Sequence, residues 1–275
     1  MSNPAVAFLQ QTDVTDPATL FRAYAHYLLR SADARRLPVS LDLIRKRHRF
    51  QRHAVAMPSR GFLVGATVFV NSDDRLVVQR FSEAHEFMET LFVALQSESS
   101  PRIPMTEEKQ KESWCEQGAA ELLMPATLFF PLAQEMGISL ATARSLSDRC
   151  GTSLTAAARR MLDADVEPCI LVLAKEGYKR NQIAPARAGA NGDEPQPELR
   201  VWRWWAAPQV KAFVCPNESI SRDTSIYQTL RGGRAGQVRR GVDALDLEYI
   251  KGAYRTESMR VTMKDEPVVI ALIHL

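Results

Sequence analysis

Arg80-Phe81-Ser82-Glu83-Ala84-His85-Glu86-Phe87-Met88-Glu89 sets one histidine and three glutamates against an apolar stripe. Phe81, Ala84 and Met88 recur at helical spacing and continue into Leu91, Phe92 and Leu95, which predicts a helix from about Leu76 to Leu95. Residues four apart on a helix share a face, so His85 and Glu89 can address one metal ion. Glu86, one step on, sits where a carboxylate can take a proton from a water at that ion. A hydrolytic metal site takes three protein ligands and leaves one position for water. The third ligand is expected from another helix, and Glu112 is the best-placed candidate.

Working outward, Glu112 falls in a second helix predicted from about Thr106 to Met124 and stopped by Pro125, after a polar loop over Ser97 to Pro104. Upstream, Leu20, Tyr24, Tyr27 and Leu28 mark an amphipathic helix from Pro17 to about Arg36, and Ser40 caps a short one through Leu41, Leu43 and Ile44. The run Arg45 to His53 is dense in positive charge, either a solvated helix end or a patch for nucleic acid or an acidic partner. Gly61 to Val70 is rich in β-formers and ends at the turn signal Asn71-Ser72-Asp73-Asp74, so a strand or hairpin is expected there.

Downstream, Ser139 can cap a helix through Leu140, Ala143 and Leu146 that ends near Gly151, and Ser153 can cap another, Leu154 to Leu162. Two helices around a tight glycine turn resemble a helix-turn-helix, although few basic residues line the second, so a packing role competes with DNA reading. From Pro168 the pattern turns to short apolar strands: Pro168 to Ala174, Leu199 to Trp205 and Val268 to Ile273, with Arg187 to Pro197 as a loop. This third of the chain is expected to form an α+β domain with its own core.

The 45% hydrophobic and 24% charged shares are those of an ordinary globular protein, and a net charge of +3 is too small to argue for nucleic acid by itself. No apolar run approaches the roughly 20 residues that span a bilayer, and the start of the chain lacks the pattern of a signal peptide. Cys115, Cys150, Cys169 and Cys215 are scattered without a C-x-x-C pair, as expected of reduced thiols in a cytoplasmic protein. No histidine has a glutamate three residues before it, which excludes the E-x-x-H pattern of di-iron carboxylate bundles.

His85-Glu86-Phe87-Met88-Glu89 is the zinc-peptidase pattern H-E-x-x-H with glutamate for the second histidine. The competing reading of the same residues is a solvated acidic face of Glu83, Glu86 and Glu89. Around this helix the chain resembles the ImmA/IrrE family of metallopeptidases, which shows R-F-x-x-A-H-E-x-x-H and then a second helix ending in A-A-x-L-L-M-P. Here the two motifs stand as Arg80-Phe81-Ser82-Glu83-Ala84-His85-Glu86 and Ala119-Ala120-Glu121-Leu122-Leu123-Met124-Pro125. The family's third metal ligand is a glutamate thirteen residues before that proline, which falls on Glu112.

The resemblance implies an α+β fold: a mainly helical, zincin-like metallopeptidase domain with a small β-hairpin or sheet over 1–135, a helix-turn-helix-like segment over 136–166, and a GAF-like sensor domain over 167–275. It implies metal ligands at His85, Glu89 and Glu112, Glu86 as the general base, and a narrow-specificity hydrolase that cuts a helix-turn-helix repressor in a stress response and so regulates transcription. The cofactor is expected to be one divalent metal, zinc first, with manganese or iron as alternatives because one imidazole and two carboxylates make a hard set. Met88 also departs from the family, where glycine is common. A second function class is a non-catalytic regulatory sensor that keeps the fold with a degenerate motif. A third feature bears on its effector, a small molecule or single-stranded nucleic acid. Trp202, Trp204 and Trp205 interleave with Arg200 and Arg203, an arrangement able to stack bases, unless the tryptophans fill the sensor core.

Overall fold

The computed structural model describes residues 3–97, 107–179 and 196–275. It is a mixed α+β structure: a helical region with a small sheet, then a sheet-rich C-terminal region. By compactness the chain divides into two units, one of Met1–Leu132 with Ser145–Ala157 and the other of Ala133–Arg144 with Ala158–Leu275. The expected helix start at Thr106, most of the Ser97 to Pro104 loop and most of the Arg187 to Pro197 loop lie outside the described residues.

The first unit opens with helices α1 (Pro4–Leu9), α2 (Pro17–Ser31) and α3 (Leu41–His48). Asp16 accepts from the Thr19 amide and Ser40 from the Leu43 amide, so both α2 and α3 start at side-chain caps. α3 stops where Arg49 turns left-handed at φ 59°. The basic run is therefore not one helix end, because its second half, Gln51 to His53, enters strand β1 (Gln51–Val55). β1 pairs in parallel with β3 (Thr67–Asn71), which pairs antiparallel with β2 (Gly61–Val64), in the order β1-β3-β2. Gly65, at φ 60°, makes the tight β2–β3 turn at a backbone conformation that side chains resist.

Helix α4 (Leu76–Gln96) carries the histidine–glutamate motif, and α5 (Glu108–Leu123) packs along it. Ala84, Phe87, Met88 and Leu91 of α4 are fully buried with Cys115, Ala119 and Leu122 of α5 and Phe21, Tyr24 and Leu28 of α2. The close approach is possible because α5 carries Gly118: a Cβ there would lie 2.5 Å from Met88 Sδ and 3.3 Å from the Phe21 carbonyl. The bulk that Met88 adds to α4 is thus taken up by a glycine on the facing helix. α4 has no side-chain N-cap; instead Gln79 Nε2 donates back to the Asp74 and Ser72 carbonyls at 2.7 and 3.3 Å and pins the β3–α4 turn.

α5 ends at Met124, and Pro125 starts a further helix, α6 (Ala126–Met136), which the sequence reading lacked because Pro131 interrupts its pattern. The buried Glu121 makes the junction: its Oε1 accepts from the Ala126 amide at 2.9 Å and faces His26 Nε2 at 3.0 Å. α7 (Leu140–Cys150) and α8 (Leu154–Leu162) follow, with Ser139 and Ser153 accepting from the Thr142 and Ala156 amides as expected of their caps.

The C-terminal sheet holds β4 (Cys169–Gly177), β5 (Glu198–Ala206), β6 (Val238–Leu247), β7 (Ile250–Met263) and β8 (Glu266–His274) in the antiparallel order β5-β4-β8-β7-β6. β4 and β8 are central and almost wholly apolar because both faces are covered. Helix α9 (Ser225–Gly232) packs on the sheet, its first turn held by Asp243, whose carboxylate accepts from Ser225 N and Oγ at 2.7 and 2.8 Å.

Replacing Glu121 leaves the Ala126 amide without its acceptor at the start of α6. Glu121→Ala is expected to cost about 1–3 kcal/mol, read as a lower denaturation midpoint with an unchanged slope.

Candidate metal centre

α4 takes a histidine and several carboxylates into a region that is otherwise core, and the partner of each decides what the site can do. Glu83 is 3% exposed. Arg45 of α3 bonds its Oε1, and Arg52 of β1 lies 3.1 Å from its Oε2. Arg52 also donates to Gln79 Oε1 at 2.7 Å. Two cations of the basic run are thus spent on α4 and are not available to an outside partner. Glu83 belongs to the scaffold of the site, not to a solvated acidic face.

One turn on, His85, Glu86 and Glu89 line a cavity of about 450 Å³ with Glu112 and Lys111 of α5 and Arg60 to Leu63 at β2. His85 Nε2 is 3.2 Å from Glu112 Oε2, and its Nδ1 is 3.7 Å from Glu86 Oε1. All four residues singled out in the sequence therefore meet at one cavity. Gly61 is what lets β2 approach, since a Cβ there would fall 2.9 Å from Glu86 Oε1.

Two further residues, Lys111 and Cys115, stand at the site. Lys111 Nζ stands 3.0 Å from Glu89 Oε2 and 3.2 Å from Glu108 Oε1, and it lies over the Phe92 ring. Cys115 is fully buried and donates its S–H to Glu89 Oε1 at 3.7 Å. Cys115 could have been found, because it follows Glu112 by three residues and so shares its helical face. The Lys111–Glu89 pair joins two helices and leaves no such spacing.

Burial by itself lowers the pKa of His85, but the neighbouring carboxylates of Glu86, Glu112 and Glu89 outweigh it, and the net shift is upward. Burial likewise works against the Lys111 ammonium, yet Glu89 and Glu108 raise its pKa overall. Cys115 is held firmly as a thiol, first by burial and then by the Glu89 charge.

Residues 36–162 match the family model of the IrrE N-terminal-like domain. The chain carries an IrrE N-terminal-like domain. That domain implies metallopeptidase-type activity or a regulatory role, and with it a divalent metal. The donors present fit such an ion. A ring nitrogen of His85, a carboxylate oxygen of Glu89 and Cys115 Sγ lie within 4.8 Å of one another, and imidazole, carboxylate and thiolate are the donors zinc and its neighbours accept. A solved Mycobacterium tuberculosis transcriptional regulator is similar in fold, with a TM-score of 0.61 at 12% identity over 92% of this chain and 75% of its own. No curated protein sequence matches the chain. Among the described residues, no helix is long and apolar enough to cross a membrane.

The tryptophan–arginine stretch divides between different uses. Arg200 is buried, ion-paired with Glu198 and bonded to the Gly177 and Asn217 carbonyls. Trp204 packs edge-on against Phe213 beside the sheet core, and Trp205 lies against the Arg159 guanidinium. Trp202 alone of the three is exposed, with Lys175 and Arg203 about its ring at 5.1 and 5.0 Å.

In metal-free protein the His85 imidazole is expected to titrate above its ordinary 6.5, followed by its ring-proton resonances. A raised folded-state pKa stabilises the fold in full below pH 6.5 and loses that contribution as the pH rises through the raised value. Glu86→Gln, which removes a neighbouring anion, should bring the midpoint down.

Proposed function

We propose that the protein is a metal-dependent, site-specific endopeptidase whose substrate is a helix-turn-helix transcriptional repressor. The observation that carries the reading is the two-sided cavity. One wall presents His85, Glu86, Glu89 and Glu112, and the other is β2, an edge strand of its sheet. An extended peptide can add to such an edge by main-chain hydrogen bonds, which would lay a scissile bond along the carboxylate wall. His85, Glu89 and Glu112 would hold the metal, which when bound supplies Lewis acidity and a more acidic water. Glu86 would take the proton of the attacking water and return it to the leaving amine. The exposed Phe62 and Val64 of β2 would contact substrate side chains next to the cut.

One observation favours a second reading, a non-catalytic regulator. Both oxygens of Glu89 are already engaged, one by Lys111 and the other by Cys115, so an internal cation stands at the ligand that departs from H-E-x-x-H. In that reading the C-terminal region senses an effector, small molecule or single-stranded nucleic acid, and the exposed Trp202, with Lys175 and Arg203 about its ring, is an aromatic suited to stacking on a base.

The test is incubation of purified, metal-supplemented protein with the repressors encoded near it. Cleavage at one site, reduced about 10²–10⁴-fold in Glu86→Gln, is the expected result. Repressors left intact under every condition, together with full regulatory activity of Glu86→Gln, would establish the second reading instead.

A further inference from the structure

We infer that Cys115 is itself a ligand of the metal, a donor that the H-E-x-x-E spacing does not supply. This rests on the metal reading of the site and adds a residue to it. Zinc holds sulfur at about 2.3 Å and nitrogen or oxygen at about 2.0–2.1 Å, so two ligands of one tetrahedral ion stand about 3.3–3.6 Å apart. Cys115 Sγ is 3.7 Å from Glu89 Oε1, and His85 Nε2 is 3.2 Å from Glu112 Oε2. The first lies just above that range and the second just below it, so a shift of a few tenths of an ångström brings either pair to the spacing of neighbouring ligands.

A buried cysteine is ordinarily a small packing residue with apolar neighbours. Cys115 instead faces a carboxylate and an imidazole. With His85 and Glu89 it forms the one group of three close metal-binding side chains among the described residues. It sits one helical turn beyond Glu112 on α5, so both donors come from one face of that helix and both approach the α4 pair. The two differ in depth: Cys115 is fully buried, whereas the Glu112 side chain is 48% exposed and forms the outer rim.

A sulfur donor narrows the metal preference expected of one imidazole and two carboxylates. Thiolate selects zinc, cobalt or iron over manganese and magnesium. Cys115 binds after losing to solvent the proton it now donates to Glu89, and the thiolate restores a soft ligand to a chain that has only one histidine in the motif.

The experiment is a cobalt titration of the full-length, chelator-stripped protein, followed by absorption. Thiolate ligation gives a near-ultraviolet sulfur-to-cobalt charge-transfer band beside the visible ligand-field bands. The expected result is that band at one equivalent, kept in Cys150→Ser and lost in Cys115→Ser, which retains the ligand-field bands. Zinc affinity by chelator competition should fall at least about tenfold in Cys115→Ser. Ligand-field bands without the charge-transfer band in the parent protein would overturn the role of Cys115 and leave the metal site standing. Failure to bind either cobalt or zinc would overturn both. Absence of that band from the parent spectrum decides against Cys115 even if the variant does not fold.

Discussion

Helix α4 must bury carboxylates, and the arrangement of the first unit follows from how each is paired. A carboxylate taken out of water without a partner costs several kcal/mol, more than most single contacts return. Glu83 is met by two arginines, one from α3 and one from β1, which joins helix, strand and α4 at a single buried ion cluster. Glu86 is met by His85, and Glu89 by Lys111 and Cys115. The position of each element around α4 is therefore tied to a charge on it as well as to an apolar contact.

The pairing grades along the helix from structure to chemistry. Glu83 is enclosed and has charge partners on both oxygens, so it can only hold. Two residues further along, the same residue types face a cavity in which Glu112 and Lys111 reach in from α5. Groups that satisfy one another in this way can exchange partners for an ion, because each contact is between side chains and not part of the backbone ladder. The IrrE N-terminal-like domain thus places a rigid charge cluster beside an adaptable one on a single helix.

Much of this was legible in the sequence, for physical reasons that can be named. The fourfold spacing of His85 and Glu89 and the apolar stripe of Ala84, Met88 and Leu91 are helix-periodic, and Ser40, Ser139 and Ser153 announced helix starts that the fold keeps. The order of two motifs pointed to Glu112. What stayed hidden depended on distant partners. β1 was masked because Arg52 looks like a solvated cation until Glu83 is seen beside it. α6 was masked by Pro131, and its start depends on Glu121 across Pro125. Lys111 could not be assigned because a pair between helices has no period.

The two sheets treat their open edges differently. β5 is an edge strand, but residues 217–220 bond to it around Leu199 and Val201, and the ladder to β4 is then broken by a bulge at Trp202. An exposed tryptophan flanked by Lys175 and Arg203 at a bulge is a poor template for another strand, since charge and local twist both oppose pairing. β2 has the opposite character: it is short and exposes apolar side chains at Phe62 and Val64. The β5 edge is guarded against self-association, while the β2 edge carries a standing aggregation liability of the kind retained where strand addition is itself the use.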